Sequence, residues 1–159
     1  MLPWLDYDGQ TTEELLALGE THRLDSLVVA FDQAIQMKGE STITPEERVV
    51  LAIEAMEREV NNGGFHQFFT NSSHEFAPEI ADALKRIGAT VAASLAEQAV
   101  AALHLEHVTA EAVYDAASEQ NDRLFDVLDS LTQRYFNEVG DLATPLFAFI
   151  RAHASQIQI

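Results

Sequence analysis

The chain contains no cysteine among its 159 residues. A disulfide framework and thiolate chemistry are therefore excluded. No window approaches the ~20 apolar residues that a membrane-spanning helix needs. The first residues, from Met1 to Asp8, have neither a basic stretch nor a long apolar run, and so they do not resemble a secretory signal. These absences predict a cytoplasmic protein that folds without covalent cross-links.

Lysine and arginine are also scarce. Nine of them stand against 26 aspartates and glutamates, which gives a formal net charge of -17. Because phosphate groups are bound by lysine and arginine, we expect neither direct nucleic-acid binding nor attachment to an anionic membrane. The excess of acidic residues instead favours solubility and a basic partner. A hydrophobic content of 47% is enough to form a folded core.

Neither alternating strands nor a fixed-period repeat occurs in the sequence. Apolar residues recur at intervals of three and four, which is typical of helices. We therefore predict an all-α, single-domain helical bundle of about seven helices over residues 1–159. An N-terminal arm and helices would occupy residues 1–43, and the main helical core residues 44–159. The predicted helices include 21–38, 77–88, 90–104, 110–118, 122–138 and about 144–156. The helix over 90–104 is expected to turn Val91, Leu95, Ala99 and Leu103 inward.

Two threonines mark predicted helix starts. Thr44 precedes Pro45, and Glu47 lies where a capping box requires a carboxylate. Thr12 is predicted to cap a short helix near the N-terminus, because Glu13 and Glu14 suit its positive end. The helix after Thr44 is expected to bury a stripe formed by Val49, Ile53, Met56 and Val60.

A sharp corner is predicted at Gly63-Gly64, where two residues without a Cβ follow one another. Phe65, Phe68 and Phe69 come next, and helical spacing places them on one face. We interpret this stretch as a structural plug in the middle of the helical core.

The same stretch carries a family resemblance. The run Glu-Val-Asn-Asn-Gly-Gly-Phe-His-Gln-Phe-Phe-Thr-Asn-Ser over residues 59–72, followed by Ile87-Gly88-Ala89, resembles the bacterial DNA-mimic-protein family. The likeness extends from about Glu46 to the C-terminal helix. It implies an all-helical and often dimeric protein. It also implies that some members present an acidic surface to a DNA-binding protein in place of DNA.

An acidic stripe is the candidate partner-binding site. Its members recur every three or four residues on two predicted helices, opposite the apolar stripes. They are Glu111, Asp115, Glu119, Asp122, Asp126 and Asp129. Such spacing is sparser than the phosphates of one DNA strand but of the same order. The alternative interpretation is an ordinary solvated helix face.

Catalytic and metal sites have weaker support. His104 and His107 could bind a metal ion from one helix face, but they are better interpreted as surface or helix-end residues. Two neighbouring carboxylates could act as general acid and general base, but among so many acids some pairs will lie close together by chance. Neither a phosphate-binding loop nor a Ser/His/Asp arrangement is present. We therefore expect a protein that is not an enzyme and has no cofactor or metal.

Two binding hypotheses remain. The first is a homodimeric DNA mimic that occupies the basic DNA-binding surface of a transcription factor or nucleoid protein, as the resemblance implies. The second is a regulatory or immunity-type protein that recognises its partner through shape and apolar contacts. Salt-dependent binding would distinguish the first from the second.

Overall fold

A computed structural model describes all 159 residues, and every regular element in it is helical. The prediction of an all-α fold is therefore confirmed. Eight α-helices follow one another along the chain: α1 Thr12–Ala17, α2 Leu24–Gln36, α3 Pro45–Thr70, α4 Ile80–Arg86, α5 Thr90–Ala101, α6 Ala110–Ser118, α7 Asp122–Glu138 and α8 Ala143–Ala152. Short 3-10 turns occupy Glu40–Thr42 and Ser72–Phe76. None of the helices has both the length and the apolar character needed to cross a membrane.

Close contacts divide the chain into two units. The first comprises residues 1–54 and 141–159, and so it contains α1, α2, the start of α3, and α8. The second comprises residues 55–140, with the remainder of α3 and helices α4 to α7. The single domain expected from the length stays a prediction, and the two units are described in turn.

In the first unit, α2 packs on α8 and on α1. Leu27, Phe31 and Ile35 of α2 are buried, as are Leu146 and Ile150 of α8. These residues recur at intervals of four on their helices, so each helix buries one apolar stripe.

The start of α1 differs from the prediction. The cap is Thr11, not Thr12: the Thr11 hydroxyl accepts a hydrogen bond from the Glu14 backbone N–H at 3.3 Å. The Glu14 carboxylate accepts the Thr11 N–H at 2.9 Å, which completes a capping box. Thr12 is buried, and its hydroxyl donates to the carbonyl of Ile157 at 2.7 Å. The helix therefore begins one residue earlier than predicted. Glu14 lies three residues after Thr11, which is the spacing that a capping box requires.

The start of α3 is as predicted. The Thr44 hydroxyl accepts the Glu47 N–H at 3.1 Å, and the Glu47 carboxylate accepts the Thr44 N–H at 3.0 Å. Glu47 is fully buried, so its charge needs compensation. Lys38 supplies it through an Nζ–Oε1 contact of 2.6 Å, and the backbone N–H of Gln158 donates to the same oxygen at 3.2 Å.

The second unit is built around the aromatic residues that follow the glycine pair. Phe65, Phe68 and Phe69 are fully buried, as predicted. The ring of Phe65 meets Tyr135 of α7 edge-on with 5.9 Å between centroids, and Phe68 lies 5.6 Å from Phe69. These ring contacts add to the stabilisation that comes from burying the aromatic side chains. Helix α5 packs on both α4 and α7.

Two details of the second unit were predicted incorrectly. The helix expected over 77–88 begins only at Ile80, so Pro78 lies outside it. Val91, expected to face inward, is 47% exposed, although the other three residues predicted to face inward are buried. Ala92, Ala93 and Ala96 are buried as well. The small side chains of α5 form its inner face because they permit close approach of neighbouring helices.

Candidate partner-binding surface

The regular conformation of α3 is interrupted at the glycine pair. Gly63 has φ -152° and ψ 17°, and Gly64 has φ 76° and ψ -176°. The conformation of Gly64 is essentially restricted to glycine. A Cβ at Gly64 would also lie only 2.8 Å from the Thr132 hydroxyl oxygen of α7. The predicted corner is therefore present, and it lies directly against α7.

Thr132 connects the corner to α7 through hydrogen bonds. Its hydroxyl accepts the backbone N–H of Phe65 at 3.1 Å and donates to the carbonyl of Leu128 at 2.8 Å. The break in the helix would otherwise leave the Phe65 N–H without a partner in a buried position. Thr132 thus fixes the position of the corner on α7.

Glu59 holds the two sides of the corner together. Its side chain accepts hydrogen bonds from the amides of Gln67 at 2.7 Å and Asn71 at 2.9 Å, and from the hydroxyl of Ser73 at 3.2 Å. Burial raises the pKa of Glu59, but these three hydrogen bonds together with the positive charge of Arg58 hold the pKa below its usual value. This role of Glu59 was not predicted. The sequence feature that could have indicated this role is a carboxylate before the glycine pair with amide and hydroxyl donors after it.

All six residues of the predicted acidic stripe are exposed. Glu111 and Asp115 belong to α6, and Asp122, Asp126 and Asp129 belong to α7, as predicted. Glu119 differs, because it follows the end of α6 with an extended backbone at ψ 142°. It therefore does not share the helix face of Glu111 and Asp115.

The six acids of the stripe have no partner, whereas Asp25 and Glu138 are examples of acids in this protein that do. Asp25 pairs with Arg23 at 2.5 Å, and Glu138 pairs with Arg134 at 2.8 Å. A hydrogen bond from the Arg23 guanidinium lowers the pKa of Asp25. The side chains of the six stripe residues make neither an ion pair nor a hydrogen bond. Arg123 is the only lysine or arginine between residues 106 and 129, a segment with seven acids. The segment is therefore a region of largely uncompensated negative charge.

Apolar side chains are exposed on the same two helices. Tyr114 of α6 and Phe125, Val127 and Phe136 of α7 are each between 40% and 48% exposed. Phe125 is stacked on His66, with ring centroids 4.1 Å apart. Phe125 and Phe136 line a common pocket, and exposed apolar residues that lie together indicate a surface that can contact another molecule.

A pocket of about 310 Å³ lies between the corner of α3 and α7. We call it the corner pocket. On one side it is lined by residues 60–64 and His66, and on α7 by Phe125, Leu128, Asp129, Thr132, Gln133 and Phe136. Asp129 is the only charged residue among them. The pocket was not predicted, although the spacing of its α7 residues places them on one helix face.

The histidines do not form the helix-face pair considered from the sequence. His104 follows the end of α5 and has a positive φ of 52°, so it is not helical. His66 instead binds the carbonyl of Ala117 through Nε2 at 3.0 Å, and His74 binds the carbonyl of Asn71 through Nδ1 at 2.7 Å. No group of three or more His, Asp or Glu side chains is arranged to hold a metal.

Comparison with known proteins gives one match. A family model described as DMP19-like protein matches residues 41–153. The matched segment includes the corner, the corner pocket and all six residues of the acidic stripe. Neither the curated proteins nor the solved structures contain a match to this chain.

Proposed function

The chain belongs to the DMP19-like protein family, and on this premise we propose that it is a DNA mimic that binds the basic DNA-binding surface of another protein. The partner would be a transcription factor or a nucleoid protein. The main support is the set of exposed, unpartnered acids on α6 and α7. Carboxylates on these helices would take the place of phosphates.

The spacing of the acids fits this role. Along α7, Asp122, Asp126 and Asp129 are separated by four and three residues. At a rise of 1.5 Å per residue, these separations are about 6 Å and about 4.5 Å. Phosphates of one DNA strand follow one another every 3.4 Å along the axis. One helix therefore offers about two thirds of the charge density of a strand, and acids on α6 add to it.

The absence of internal partners supports the proposal energetically. Carboxylates three or four residues apart repel one another by a few tenths of a kcal/mol per pair. A basic partner would relieve that repulsion without first having to break an ion pair. The net charge of -17 would also attract such a partner over long range and raise its association rate.

The proposal is tested by capture from an extract of the source cell, followed by elution with duplex DNA. The stripe variant carries Asp115→Asn, Glu119→Gln and Asp126→Asn, and the control carries Asp6→Asn, Asp8→Asn and Glu20→Gln. Both sets remove three exposed charges. At about 0.5 kcal/mol for each exposed ion pair, the stripe variant should bind about tenfold more weakly, and the control should not.

Duplex DNA should displace the captured protein, and binding should weaken steeply as salt rises. Equal capture by the stripe variant and the wild type would contradict DNA mimicry, as would capture that duplex DNA leaves intact.

A second candidate function rests on the exposed aromatic residues of α6 and α7. A regulatory or immunity-type protein could bind its partner mainly through Tyr114, Phe125 and Phe136. Binding would then persist in high salt and in the stripe variant. It would be lost when Tyr114 and Phe136 are replaced by serine, because burial of their rings would supply the affinity.

The homodimer implied by the resemblance is part of the proposal. Light scattering should give twice the chain mass of 17.6 kDa. A mass that stays at one chain at micromolar concentration would remove the dimer and leave the proposed binding role to be judged by the capture experiment.

A further inference from the structure

We propose that the corner pocket binds one arginine side chain of a protein partner, with the guanidinium paired to Asp129. The proposal rests on the proposed function in taking the partner to be a basic protein. It adds a defined site to the diffuse attraction of the acidic stripe. Three features of the pocket carry it: its single charge, its aromatic residues and its polar groups.

The charge of the pocket selects a cation. Asp129 is exposed, has no ion-pair or hydrogen-bond partner, and faces no lysine or arginine among the other lining residues. An anion would be repelled at this point. A guanidinium can pair with the two carboxylate oxygens through two parallel hydrogen bonds, which a lysine ammonium cannot match.

The aromatic residues favour a flat cation with an apolar stem. Phe125 lies one helical turn before Asp129, at a spacing where side chains are neighbours. A guanidinium paired to Asp129 would therefore come within the ~6 Å over which a cation interacts with a ring face. One face of Phe125 is occupied by His66, but the side chain is still 43% exposed. Phe136, seven residues beyond Asp129, can cover the methylene stem of the ligand or the residue next to it.

Acceptor atoms are available for the other N–H groups of the guanidinium. His66 contacts the carbonyl of Ala117 through Nε2, and a carbonyl only accepts, so Nε2 carries the hydrogen of that bond. In the neutral ring, Nδ1 is consequently an acceptor. Asn61, Asn62 and Gln133 also line the pocket, and their side-chain amides can supply further acceptors. The volume of about 310 Å³ is at the small end of ligand-binding pockets, which suits one side chain better than a larger ligand.

The test uses the full chain labelled with 15N and two small probes. The first probe is N-acetyl-arginine N-methylamide, and the second is the matching citrulline derivative, which replaces the guanidinium by a neutral urea of the same length. The arginine probe should shift the amide resonances of residues 60–66 and 125–136. The citrulline probe should bind about tenfold more weakly, because the charge-assisted hydrogen bonds are lost.

Two charge variants separate the pocket from general electrostatics. Asp129→Asn should weaken binding of the arginine probe about tenfold. Glu106→Gln removes one charge from an exposed, unpartnered residue that neither lines the pocket nor belongs to the acidic stripe, and it should change binding by less than about twofold. Phe125→Leu keeps an apolar side chain but removes the ring, and should weaken binding about threefold.

The inference is overturned if the two probes bind equally, if both charge variants weaken binding equally, or if the shifts fall outside the pocket. Its failure is distinguishable from that of the proposed function. Salt-dependent, DNA-competitive capture without a pocket response would remove only the arginine site. A pocket response in a protein whose capture is insensitive to DNA would remove only the mimicry.

Discussion

Replacement of Gly64 by alanine should be strongly destabilising, for two separate reasons. At φ 76° and ψ -176° a residue with a Cβ is strained by about 1–3 kcal/mol. The new Cβ would also lie 2.8 Å from Oγ1 and 3.2 Å from Cγ2 of Thr132, and such overpacking costs about 1–3 kcal/mol. The reduced freedom of the unfolded chain offsets about 0.7 kcal/mol of this. We expect a net loss of about 3 kcal/mol in the free energy of unfolding.

Gly88→Ala is the matched control. Gly88 also has a φ of 76°, but a Cβ there would meet nothing within 4 Å. Its substitution should therefore cost only the backbone strain, about 1 kcal/mol after the same offset. Urea unfolding followed by far-UV circular dichroism gives both values, provided that the m-values agree.

A double-mutant cycle isolates the steric part. Thr132→Ala removes both atoms that the new Cβ would approach, so Gly64→Ala should cost about 1–2 kcal/mol less in that background than in the wild type. Equal costs of Gly64→Ala and Gly88→Ala, or the absence of coupling to Thr132, would refute the view that close packing of the corner on α7 requires a glycine.

Three further predictions concern the rest of the chain. Because the folded pKa of Glu59 is depressed below its ordinary value of 4.5, its contribution to stability is present above that value and is lost as the pH falls through the folded pKa. As the pH is lowered below 4.5, the free energy of unfolding should therefore fall less for Glu59→Gln than for the wild type, as measured by urea unfolding at each pH. Thr44→Ala should cost about 1 kcal/mol by the same assay through loss of the cap of α3, and a cost below a few tenths would contradict the capping box. Phe68→Ala should cost about 3–5 kcal/mol because the ring is fully buried, whereas the exposed Val91→Ala should stay within about 0.5 kcal/mol.

Helix positions were predictable wherever they depend on neighbours along the chain. The helices expected over 110–118 and 122–138 occur with those bounds. The cap at Thr44 and the burial of Phe65, Phe68 and Phe69 are also as predicted. The prediction that Val91 faces inward was wrong because both sides of α5 carry small or apolar residues. Only the packing of α4 and α7 against the helix decides which side is buried.

The helical class, the caps, the corner and the excess of acids are all encoded locally, because periodicity, capping and net charge depend on residue type and short spacing. What lies against the corner was settled by tertiary packing. The hydrogen bond from Phe65 to Thr132 joins residues 67 positions apart, and the same approach of α7 brings Asp129 to the corner pocket. Tertiary packing also brought the backbone of Gln158 to the buried carboxylate of Glu47. Such pairings depend on where the chain returns in space, which spacing along the sequence does not specify.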